Sequence, residues 1–67
     1  MSDHVYKSIE ITGSSSSGIT EAIDRGIEKA AGTVRHIDWF EVTDIRGALQ
    51  DGVTHYQVTL KIGFRLE

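Results

Sequence analysis

The chain has 67 residues with ten acidic and seven basic side chains, a formal net charge of −3, and no cysteine. The missing cysteines exclude a disulfide framework, a thiolate zinc site and a cysteine nucleophile, while the dispersed and slightly acidic charge disfavours non-specific nucleic-acid binding, which rests on neutralising phosphates. A domain this short buries only about 60% of its unfolded surface, so oligomerisation is the expected staple.

No apolar run approaches the roughly 20 residues that span a bilayer, and Met1-Ser2-Asp3-His4 lacks the basic and apolar regions of a leader. The expectation is one domain over residues 1–67 in a cytoplasmic protein with no membrane partner. Val5 to Thr12 is rich in β-branched residues, and Val5, Ile9 and Ile11 share one parity that Lys7 interrupts. This is a first strand. Gly13 to Gly18, four serines between glycines, reads as a turn into a helix.

Ile19, Ala22, Ile23, Ile27, Ala30, Ala31 and Val34 form the i, i+3, i+4 stripe of an amphipathic helix. Ser15 is the preferred cap for its first turn, and Glu21 suits that end of the helix dipole. Gly26 lies inside the helix at a cost of roughly 1 kcal/mol relative to alanine, which implies close approach of another backbone. Gly32 or Thr33 marks the end.

Ile37 to about Leu49 forms the second strand and Val53 to Leu66 the third, joined at Gln50-Asp51-Gly52 by an Asp-Gly hairpin signal. In the third strand Tyr56, Val58, Leu60, Ile62, Phe64 and Leu66 alternate with polar residues or glycine, so one face is core. A helix joining two strands of one sheet makes them parallel, and the third strand pairs antiparallel with both only from the middle. The expected fold is therefore α+β, β-α-β-β, with sheet order 1-3-2. The helix stripe is expected to cover the face bearing Phe40, Val42, Val58, Leu60, Ile62 and Phe64.

If Phe40 and Val42 face that core, then Trp39, Glu41 and Thr43 face away. The only tryptophan of the chain thus sits outside its own core and needs a partner, either another subunit or a flat ligand. Trp39 and Gln57 are expected to emerge together on this face, where stacking plus an amide that donates and accepts suits a planar heterocycle. A plain subunit contact at Trp39 is equally compatible with the residues.

Other chemistry is weaker. His4, His36 and His55 are too dispersed for a local metal motif, so no metal is expected. No nucleophile elbow appears, and no catalytic residue is assigned. Gly13 to Gly18 lacks the lysine of a P-loop and the glycine spacing of a dinucleotide fold. Arg46 and Lys61 suit a phosphate or carboxylate, although solvated or paired surface positions explain them equally.

The assembled pattern resembles the dodecin family of small flavin-binding proteins. The resemblance runs through Val5-Tyr6-Lys7 with Ile9-Glu10-Ile11, Gly13 with the serine turn, and Ala30-Ala31. It continues through Asp38-Trp39-Phe40-Glu41-Val42, Ile45-Arg46-Gly47, Tyr56-Gln57-Val58 and Gly63-Phe64-Arg65-Leu66-Glu67. It implies a hollow homododecamer that stores or sequesters flavin, FMN or riboflavin, in pairs between symmetry-related copies of Trp39. Gln57 would hydrogen-bond the isoalloxazine edge, Arg46 would lie near the flavin, and Asp44 would lie near the ribityl chain. Coenzyme A at a separate site is a further implication, with no residue of this chain assigned to it.

Strict alternation gives Asp44 and Arg46 the parity of Phe40 rather than Trp39, so the resemblance requires a β-bulge or donation into a neighbouring subunit's site. Two rival readings differ in what they forecast. A small flavin-dependent oxidoreductase would turn over with an electron donor, and a structural assembly module would bind no flavin.

Overall fold

The computed structural model describes residues 3–66. Met1, Ser2 and Glu67, which enter the leader reading and the end of the resemblance, lie outside the described residues. The elements run β1 (Tyr6–Ser15), α1 (Ile19–Ala31), β2 (Ile37–Gln50) and β3 (Val53–Arg65). Strand β3 pairs antiparallel with both others and the sheet order is β1-β3-β2, the order that the β-α-β-β connection demands.

Strand β1 continues past its expected end at Thr12, because Gly13, Ser14 and Ser15 still pair with Val58, Gln57 and Tyr56. The turn into the helix is correspondingly short, 16–18. Ser15 does not cap α1: its buried Oγ accepts the Ser17 backbone N–H at 3.0 Å, and the helix begins after Gly18 with no side-chain cap. The hydroxyl serves the strand-to-helix turn instead, a local bond that serines form readily.

Helix α1 faces the sheet with its smallest side chains, buried Ala22, Gly26 and Ala30. A Cβ on Gly26 would meet Leu60 Cδ1 at 3.2 Å and Ile11 Cδ1 at 3.4 Å, with the Gly13 Cα at 3.7 Å. A Cβ on Gly13 would strike the Ala22 carbonyl oxygen. Two glycines thus let helix and strand backbones touch, the close approach expected for Gly26. The helix ends at Ala31, followed by Gly32, and Thr33 and Val34 N–H groups both donate to the Ala30 carbonyl at 3.0 and 2.9 Å.

The core consists of Val58, Leu60 and Ile62 against Ala22 and Ala30, with Ile9, Ile11, Ile23, Ile27 and Ile37 packed around them. One expectation fails here. The helix covers β1 and β3 but not β2. A helix about 10 Å across spans roughly two strands at about 4.8 Å spacing, and the Gly13–Gly26 contact fixes it over the β1 side. Phe40, Val42 and Ile45 pair with Ile62, Leu60 and Val58 and so share their face, yet they remain 47%, 39% and 51% exposed.

At the hairpin tip Asp51 and Gly52 have φ of 50° and 77°, the two positive values of a type I′ turn. The molecule measures 54 × 20 × 14 Å, whereas a helix of 13 residues is only about 20 Å long. The β2–β3 hairpin therefore projects beyond the helix. The accessible surface of 4830 Å² exceeds the about 4,200 Å² of a compact monomer of this mass. Among the described residues, no helix is long and apolar enough to cross a membrane.

Candidate functional site

The sheet face turned away from α1 is built of rows that cross all three strands. From one end these are Ser8–Gly63–Trp39, Glu10–Lys61–Glu41, Thr12–Thr59–Asp44 and Ser14–Gln57–Arg46. Alternation along β3 sends Val58, Leu60 and Ile62 into the core and its odd-numbered neighbours to this open face.

Two irregularities in β2 decide which of its side chains join them. The register shifts between Ile37 and Trp39 and again between Val42 and Asp44. Without the second shift, Asp44 and Arg46 would point with Phe40 toward the core. With it, Asp44 lies opposite Thr59 and Arg46 opposite Gln57, so both stand on the tryptophan face. The parity conflict in the sequence is thus resolved within one chain by a bulge, and no donation from a neighbour is needed for it. Thr43, at the bulge, donates its hydroxyl to the Thr59 carbonyl at 3.2 Å.

Trp39 is 40% exposed, and its indole lies across Gly63. A Cβ on Gly63 would overlap the ring atoms Cε2, Cζ2 and Cδ2. One face of the indole is therefore seated on backbone, and the other looks outward. Gly63 was not singled out by its role in the sequence, although a glycine inside an alternating strand is a signal of close approach.

At the other end of the face, the Arg46 Nε–H donates to Gln57 Oε1 at 2.8 Å. Thr12 and Thr59 hydroxyls share a hydrogen bond at 3.0 Å beside Asp44. Arg46, Gln57 and Asp44 therefore form one polar cluster. Trp39 does not join it. Gln57 and Gly63 are six residues apart on β3, and at about 3.3 Å per residue this separates the indole from the amide by roughly 20 Å. The expectation that Trp39 and Gln57 emerge together holds for the face but not for the position on it.

Lys61 lies between Glu10 and Glu41 in register, which makes it the centre of a cross-strand charge row rather than a companion of Arg46. The histidines stay apart: His4 packs edge-on to Tyr6, His36 precedes β2 with φ of 61°, and His55 pairs with Ala48. Among the described residues, no three His, Asp or Glu side chains are placed to hold a metal.

Chemically, the face offers a one-sided aromatic plate at one end and a donor-rich polar cluster at the other. A planar heterocycle with a polar edge fits both. The two parts are too far apart in one chain to grip one such ring.

Three comparisons bear on this arrangement. The family model described as Dodecin matches residues 5–67. The chain is 50% identical over 64 residues to a dodecin of Thermus thermophilus, covering 94% of this chain and 93% of that protein. Among solved structures, the dodecin from Streptomyces davaonensis superposes with a TM-score of 0.92 at 48% identity, covering 98% of each chain. That from Streptomyces coelicolor gives 0.92 at 47% identity, covering 100% of this chain and 97% of the other.

Proposed function

The chain belongs to the dodecin family, and on that premise we propose that it is a flavin-binding storage and sequestration protein, not an enzyme, which assembles as a hollow homododecamer in the cytoplasm. The observation that carries this reading is the indole of Trp39, seated on Gly63 with its outer face free. An aromatic plate with one face buried and one open is suited to stacking a planar ligand.

FMN or riboflavin is the ligand class. The isoalloxazine offers a flat apolar body to the indole and a carbonyl-bearing edge to Gln57, while Arg46 and Asp44 lie beside that amide. The roughly 20 Å between plate and amide supports an assembled site: a flavin on one copy's Trp39 is read by Gln57 of another. In a two-fold contact each copy supplies what the other lacks, which yields paired sites. The uncovered Phe40, Val42 and Ile45 supply apolar surface for such assembly. Coenzyme A at a separate site rests on the resemblance alone.

Storage follows from the stacking. An indole in van der Waals contact with an excited isoalloxazine quenches it by electron donation, and a ring covered on its faces leaves little access for a second substrate. The test titrates flavin-depleted protein into riboflavin and FMN, following flavin fluorescence, with light scattering to report assembly. The parent is expected to quench strongly and saturate near one flavin per chain. Trp39→Ala is expected to stay assembled and lose roughly 5- to 150-fold in affinity, the equivalent of about 1–3 kcal/mol per stacking contact. Unchanged fluorescence with the parent would leave only the assembly module, and steady oxidation of an added electron donor would favour the oxidoreductase.

A further inference from the structure

We draw no further inference here: the strongest candidate, the cleft between edge strand β1 and helix α1, is lined by Ile9, Ile11 and Ala30 together with Arg25, Lys29 and Glu28, charges of both signs that select no ligand class, and nothing in the structure shows what covers it.

Discussion

Gly63 and the Trp39 indole share one site on the open face: the ring occupies the volume that any side chain at position 63 would need. Position 63 therefore sets the height and tilt of the plate. Gly63→Ala must either lift the indole or strain β3, and overpacking of this kind costs about 1–3 kcal/mol. The indole is partly exposed and gives way more easily than the central strand of the sheet. The expected outcome is at least a tenfold loss of flavin affinity with the assembly intact, read by fluorescence titration and light scattering. In a Trp39→Ala background the same glycine change should add almost nothing, since there is no ring left to displace.

The two glycines at the helix–strand contact make a sharper pair. Gly13→Ala places a Cβ against the Ala22 carbonyl and the α1 backbone, and helix backbone cannot step aside. Gly26→Ala meets the terminal methyl groups of Leu60 and Ile11 at 3.2 and 3.4 Å, with the Gly13 Cα at an ordinary contact distance of 3.7 Å, and it gains roughly 1 kcal/mol of helix propensity. In denaturant unfolding Gly13→Ala should lose more than about 3 kcal/mol, above the usual overpacking range, while Gly26→Ala stays within about 1 kcal/mol of the parent. Equal losses at both positions would mean that the contact is looser than its geometry.

The turn before α1 gives a third prediction. The Ser15 hydroxyl is buried and accepts the Ser17 N–H. Ser15→Ala leaves that donor without its partner and is expected to cost about 0.5–1.5 kcal/mol in the same unfolding measurement. Ser14→Ala and Ser16→Ala, at exposed positions, should be close to neutral for stability.

Much of this was legible from periodicity. The helix stripe, the alternation in β3 and the Asp51-Gly52 turn fix the elements, and the parallel relation of β1 and β2 fixes the sheet order without any coordinate. What alternation could not supply was the position of the bulge after Val42, because a register shift follows from hydrogen-bond pairing with β3 and leaves no mark in composition. For the same reason Asp44 and Arg46 carried a parity conflict that only the register removes. The serine stretch misled in the opposite way. Ser15 has the chemistry of a helix cap, but the strand continues through it, and its hydroxyl bonds within the turn. Coverage of β2 was overestimated because the hydrophobic pattern tells which face is apolar and not how many strands one helix can reach. The separation of Trp39 from Gln57 needed only residue counting along β3, once Gly63 was known to be the tryptophan's partner.

The uncovered inner face of β2 leads to the last prediction. Phe40, Val42 and Ile45 lie on the helix side of the sheet with no helix above them. Among the described residues the buried apolar side chains are only Ala22, Ala30, Val58, Leu60 and Ile62. A core this small is marginal on its own, so in the proposed assembly burial of the β2 face by another copy would contribute to folding as well as to assembly, and the two should be lost together. Ile45→Asp sets a carboxylate where the proposed assembly needs apolar contact, and a charge buried without a partner is strongly unfavourable. Light scattering at micromolar concentration should show the high-mass species replaced by monomer or small fragments of the assembly. The unfolding temperature should drop and lose most of the dependence on protein concentration that coupled assembly gives the parent. Ile45→Val keeps the apolar contact and should restore the parent mass, which separates a lost interface from general damage to β2. An Ile45→Asp variant of unchanged mass would show that copies meet through other surfaces, and the open β2 face would then have to be covered by something other than this chain.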